Sequence, residues 1–158
     1  MFQLVGCRFI ECGLLPMAFT LVVLCGCGGS STPSSQLSVG GSYSTRVTLL
    51  PTGNTCGNVT VQDNPTVVTH SPGASTLSLT HANNTYQGTI SSTAQFSTTP
   101  TTISGGGSQF TIIIQGQFNL TGFDATVQVN VMQPGPPTVC AYMVHWVGTK
   151  NGPPNTIP

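Results

Sequence analysis

Few side chains in this 158-residue chain can do acid–base or ligating chemistry: three histidines, His70, His81 and His145, and three carboxylates, Glu11, Asp63 and Asp124. Paired-carboxylate hydrolysis needs two carboxyl groups flanking one bond. Asp63 and Asp124 stand in settings that favour plainer duties. Asp63 lies in Gln62-Asp63-Asn64-Pro65, where a short carboxylate turns the chain by bonding nearby backbone. Asp124, in Thr121-Gly122-Phe123-Asp124-Ala125, opens a strand and reads as a hydrogen-bonded corner. Serines and histidines for a Ser-His-Asp triad exist, but the sequence holds no Gly-x-Ser-x-Gly elbow to present one. His70 and His81 are expected as neighbours across a hairpin near Ser71-Pro72-Gly73. With His145 they lack the short-spaced ligand pairs of a zinc or copper site and read as turn or strand-surface residues. Gly105-Gly106-Gly107 has no helix behind it, so it is a loop and not a phosphate cradle. No catalytic residue, metal or cofactor is expected, and the chain is read as non-enzymatic. Tyr43, Tyr86, Tyr142 and Trp146 form either an aromatic platform for a sugar or apolar ligand, or part of the core.

Thiol chemistry is better provided for. Leu24-Cys25-Gly26-Cys27, followed by Gly28-Gly29-Ser30-Ser31, ends an eleven-residue apolar run, Leu14 to Leu24, with Arg8 and the α-amino group on its positive side. That is the layout of a secretory signal. Eleven residues fall short of the about 20 that cross a bilayer core, so the run is not expected to persist as a membrane helix. Leu24-Cys25-Gly26-Cys27 resembles the lipobox of bacterial lipoprotein precursors, in which a leucine stands three places before an obligatory cysteine and small residues lie between. The resemblance implies that a diacylglyceryl group is attached to Cys27, that the signal peptidase cuts between Gly26 and Cys27, and that the new amino group is acylated, with chains such as palmitate. A cysteine is needed because a thiolate is nucleophilic enough near neutral pH to take the lipid. Each buried methylene contributes about 0.8 kcal/mol, so two or three chains anchor a protein permanently.

The same resemblance settles the cysteine count. Cys7, Cys12 and Cys25 leave with the signal, and lipid on Cys27 leaves Cys56 and Cys140 as an even pair in an oxidising compartment. Their bond would join residues 84 apart and constrain the unfolded chain by about 4.5 kcal/mol. Trp146, on one strand face with Cys140 and Tyr142, is placed to cover it. The competing assignments are a secreted protein with a free Cys27 thiol, which leaves an odd cysteine number, and a Cys56/Cys140 metal pair, which lacks neighbouring ligands.

The elements around these residues read as all-β. Residues 1–26 are the signal, 27–36 a lipidated Ser/Gly/Pro tether, 37–150 one domain and 151–158 a proline-rich tail. Threonine, valine and isoleucine dominate the runs, Gly and Pro punctuate them, and no stretch shows helical spacing of apolar residues for ten positions. Strands are expected over 42–50, 58–62, 65–69, 75–81, 85–91, 95–98, 109–119, 123–133 and 139–148. Ala125, Val127, Val129 and Val131 share one face of one strand; Cys140, Tyr142, Val144 and Trp146 share one face of the next. Phe110, Ile112, Ile114 and Phe118 are further core candidates. Turn residues such as Pro51-Thr52-Gly53-Asn54, Ala82-Asn83-Asn84 and Pro134-Gly135-Pro136-Pro137 make the connections tight. About eight strands in an antiparallel meander must close into a small barrel of lipocalin-like size or fold as a β-sandwich, because an open sheet leaves sticky edges. Gly41-Ser42-Tyr43 and Tyr86-Gln87-Gly88-Thr89-Ile90 are loosely similar to small lipocalin-like and avidin-like barrels, a likeness that assigns no residue a role.

Only 4% of the chain is charged, against about 25% in an average domain. Beyond the signal, Arg46, Asp63, Asp124 and Lys150 are the charged side chains. Nucleic acid is therefore excluded as a partner, since phosphate neutralisation needs a basic surface, and so is membrane attachment by a polybasic patch. The expectation is a lipid-anchored protein of the bacterial cell envelope, bound to the membrane through its N-terminal lipid, with a small β-domain in a binding or structural role. Its partner would be an envelope protein or a glycan; the alternative is a barrel that holds a small apolar ligand or glycan. Gly28 stands where the enteric sorting system reads aspartate as an inner-membrane retention signal, which implies the outer membrane in a two-membrane host.

Overall fold

The computed structural model describes residues 35–134 and 138–158. Cys27, Gly26 and the tether as far as residue 34 lie outside them. Nine strands follow one another: β1 (Gly41–Leu49), β2 (Thr66–Thr69), β3 (Thr76–His81), β4 (Asn84–Ile90), β5 (Gln95–Thr98), β6 (Thr101–Gly105), β7 (Ser108–Asn119), β8 (Gly122–Gln133) and β9 (Thr138–Asn151). Each pairs antiparallel with its neighbour in the meander, except that β5 and β6 both pair with the same edge of β7. β9 returns to β1 from Ser42↔Asn151 to Leu49↔Val144. The result is a closed eight-stranded antiparallel barrel with β6 as an extra strand, consistent with a lipocalin-like barrel and not with a sandwich.

Two strand expectations need correcting. Asn58 to Gln62 is not a strand: it alternates Val59 and Val61 but has no ladder partner, and it runs as part of the β1–β2 loop. Thr101–Gly105 is a strand although Thr-Thr-Ile-Ser-Gly shows no clear alternation. It forms because β7 extends above β5 and offers it an edge. Between them, at Thr99-Pro100, the register on β7 slips by one residue, a bulge that also accommodates proline's missing N–H. Thr98 repairs the ladder there, its hydroxyl accepting the Ile114 N–H at 2.9 Å.

Alternation then sorts the side chains. The inward rows include Ile112, Ile114 and Phe118 of β7, Phe123 to Val131 of β8, and Cys140, Val144 and Trp146 of β9, all buried, while Phe110 is partly buried against them. The end of the barrel where residues 38 and 156 meet is solid. Tyr43, Phe96, Phe118 and Phe123 fill it, with ring centroids 4.9–6.3 Å apart. A Cβ on Gly148 would overlap the Phe123 ring, so glycine there makes room for it. Residues 151–158, expected as a tail, close this end. Thr156 bridges Ser38, and Asn155 is buried, its amide donating to the Asn119 and Gly122 carbonyls. The Tyr43 hydroxyl lies 2.6 Å from the Val39 carbonyl and 2.8 Å from Asn155 Oδ1. Burial pushes that phenol up to about 12, against the smaller lowering effect of the Asn155 bond, so it stays a donor.

Candidate ligand-binding site

The opposite end is built differently. β2 is short and covers only the first residues of β1, so the upper edge of β1 is unpaired there. Asp63 takes up that role: its carboxylate accepts the Val47 N–H at 2.7 Å. It is thus a cross-link from loop to strand and not the local turn former expected. The first half of the loop is fixed to β9. Leu50 N–H donates to the Met143 carbonyl, Thr55 N–H to the Ala141 carbonyl, and Ala141 N–H to Thr55 Oγ1. Cys56 and Cys140 form a disulfide beside these bonds, with Cα atoms 5.0 Å apart. Trp146 does not cover it. Six residues along a strand span about 20 Å, and Trp146 stacks instead on His81, centroids 4.0 Å apart.

Beneath loop residues Thr60, Val61, Gln62 and Asn64 lies a hollow of about 270 Å³. Its apolar lining includes Val47, Ile112, Val127, Val129 and Val144, and interleaved with these are the rings of His81, Tyr86, Tyr142 and Trp146. The meander explains the convergence. Tyr142 and Trp146 sit on the inward row of β9, and the two-residue turn at Ala82-Asn83, with φ of 46° and 64°, brings His81 and Tyr86 onto adjacent strands two register positions apart, His81 opposite Asn84 and Tyr86 opposite Leu79. Tyr86, Tyr142 and Trp146, read from the sequence as either a ligand platform or part of the core, line the hollow together with His81, read as a surface or turn residue. Tyr43, from the same set, belongs to the solid end.

His81 is buried and tightly specified. Thr45 donates its hydroxyl hydrogen to Thr66 Oγ1 at 2.7 Å, and Thr66 Oγ1 lies 2.9 Å from His81 Nδ1. Thr66 is 0% exposed, and its own hydrogen has no other acceptor among the described residues. That hydrogen is therefore assigned to Nδ1, which places the imidazole proton on Nε2. Burial lowers His81 to about 4, so the ring is neutral at pH 7. Tyr86 is raised, first by burial and then by the neighbouring Tyr142, and Tyr142 is raised by burial; both hydroxyls keep their protons.

The other candidate residues do not assemble. His81 pairs with Thr66 across the β2–β3 hairpin, so it and His70 occupy opposite ends of that hairpin, not adjacent places. His70 braces the solid end, Nδ1 accepting from Val39 N–H and Nε2 donating to the Ala74 carbonyl. Asp124 and His145 meet on the outer face, Nε2 to Oδ2 2.9 Å, an exposed pair worth little. No serine or threonine hydroxyl joins them, and no three potential metal ligands cluster, among the described residues. A larger groove of about 800 Å³ crosses the outer face over Ser97, Gln115, Gln117, Asp124 and Thr126. Its groups face water, whereas the hollow's are withdrawn from it. No known protein family matches the chain, and no curated protein and no solved structure is significantly similar to it.

Proposed function

We propose that this chain is a non-catalytic lipoprotein of the bacterial envelope whose barrel binds a small molecule in the hollow beneath Thr60–Asn64. The observation that carries the binding role is the contrast between the barrel's ends. One is filled by four aromatic rings, while the other keeps a mostly apolar hollow with a few polar groups, the usual form of a small-molecule site. At about 270 Å³ it falls just below the usual range for such sites, roughly 300–1,000 Å³, which suits a small ligand. The anchor rests on Leu24-Cys25-Gly26-Cys27 and the apolar run before it. Gly28 favours outer-membrane delivery where the host has two membranes.

Two variants test the two halves separately. Cys27→Ser is expected to remain uncut and to lose the lipid mass; trimming at the same bond with continued membrane sedimentation would sink the anchor. Val129→Phe fills the hollow. Compounds that raise the melting temperature of the wild-type chain in a small-molecule screen should have no effect on this variant. Equal shifts in both proteins would place binding elsewhere.

A further inference from the structure

Given a ligand in the barrel, its chemical class follows from the atoms left open to it, and we infer that the hollow takes an uncharged one- or two-ring molecule presenting a carbonyl or similar acceptor to the donors of His81, Tyr86, Tyr142 and Trp146. The inference rests on the binding role proposed above and goes beyond it.

Four polar atoms carry it: His81 Nε2, Trp146 Nε1 and the hydroxyls of Tyr86 and Tyr142. None has a hydrogen-bond partner among the described residues. His81, Tyr86 and Trp146 are each more than nine-tenths buried. Yet no side-chain nitrogen or oxygen that is sealed from solvent lacks a partner, so these atoms must be reachable, and the hollow that all four side chains line is the space that reaches them. Water that reaches them pairs them in the free protein, and a ligand that displaces this water without offering an acceptor leaves each group unpaired at a cost of about 1–3 kcal/mol. Four such atoms lining one hollow therefore select a ligand that replaces those hydrogen bonds.

The polarity of those hydrogen bonds is fixed. Indole Nε1–H donates only. His81 Nε2 also donates only, because the Thr45-Thr66 relay occupies Nδ1. The two phenols donate or accept. The ligand must therefore bring acceptors to these groups, while its carbon skeleton meets Val47, Ile112, Val127, Val129 and Val144, which line the same hollow. Charge is excluded: no Lys, Arg, Asp or Glu lines the hollow, and a buried unpaired charge is far costlier than an amide or hydroxyl. Size is set by volume. A cavity of about 150 Å³ accepts a benzene ring, so about 270 Å³ accommodates one or two rings.

The test titrates the full-length chain in phospholipid nanodiscs with ethylbenzene, acetophenone and benzoate, reading the indole N–H resonance of Trp146, which is unambiguous because the chain has one tryptophan. Acetophenone differs from ethylbenzene by its carbonyl, and benzoate adds a charge. Acetophenone should bind about ten-fold more tightly than ethylbenzene, the value of one well-made hydrogen bond, and benzoate should bind weakest. In Tyr142→Phe, and in His81→Phe if that variant folds, the preference for acetophenone should shrink several-fold. Binding of all three probes with ethylbenzene or benzoate equal to acetophenone, or an undiminished preference in the variants, overturns the class while leaving the site. No movement of the Trp146 resonance with any probe overturns the hollow as a site altogether.

Discussion

A histidine ring stacked on a tryptophan and bonded to a fully buried hydroxyl has little use for a second proton. Burial takes His81 from an ordinary 6.5 to about 4, so between those values the unfolded chain binds a proton that the folded chain refuses. The sign follows: folding stability falls as pH drops from about 6.5 to about 4 and levels off below, by about 3 kcal/mol in all. Denaturant unfolding followed by Trp146 fluorescence at pH 7, 5.5 and 4 should show this slope in the wild type. His81→Phe should lack that share of it, and parallel profiles for the two proteins would mean that His81 is solvated. Nothing near His81 in the sequence announces this environment. Its partner Thr66 is fifteen positions away, and only the β2–β3 register brings the two hydroxyls and the ring into line. The aromatic residues of the site were legible because Tyr142 and Trp146 keep the alternation of β9; the histidine that orients it was not.

At the scale of elements, the β1–β2 loop is the part that distinguishes this barrel's open end, and its attachment is lopsided. Residues as far as Cys56 are held to β9 by backbone bonds and the disulfide, whereas Asn58 to Gln62 make no backbone–backbone bond among the described residues. Replacing Cys56 and Cys140 together by alanine restores to the unfolded chain the freedom of an 84-residue span, which lowers stability by about 4.5 kcal/mol on the chain-entropy view. Melting curves should show the wild type in strong reductant matching the double variant in its absence; a wild type indifferent to reductant and equal to the variant would mean the bond contributes nothing. The pairing itself was foreseen from cysteine number. Strands β7, β8 and β9 were equally legible, since each buries one face and alternates accordingly. Asn58 to Gln62 misled because alternation shows that one face packs, here Val61 against the core, without showing that an edge is free to pair. β6 was invisible for the converse reason: it has an edge to pair with but almost no buried face.

For the whole molecule, closure and neutrality belong together. Closure depends on β1 meeting β9 across about a hundred residues, a long-range choice that strand patterns narrow to barrel or sandwich without deciding. The closed sheet leaves few strand edges open, so the folded protein needs little surface charge to stay apart from its copies, and it has little. Arg46, Asp63, Asp124 and Lys150 are the charged side chains beyond residue 27; Asp63 is engaged by Val47 N–H and Lys150 by Asn155 Oδ1. The unfolded chain has no such protection. It exposes Phe110-Thr111-Ile112-Ile113-Ile114-Gln115-Gly116-Gln117, an uncharged β-prone window without proline, the signature of an aggregating segment. Refolding from denaturant at pH 8 should therefore lose much of the protein to light-scattering aggregates, and the yield should hardly change with salt, because there is almost no charge for salt to screen. At pH 5 the three histidines of the unfolded chain ionise, so scattering should fall even though the folded state is then less stable. A yield at pH 8 that depends steeply on salt, or scattering that worsens at pH 5, would show that something other than missing charge governs the competition between folding and association.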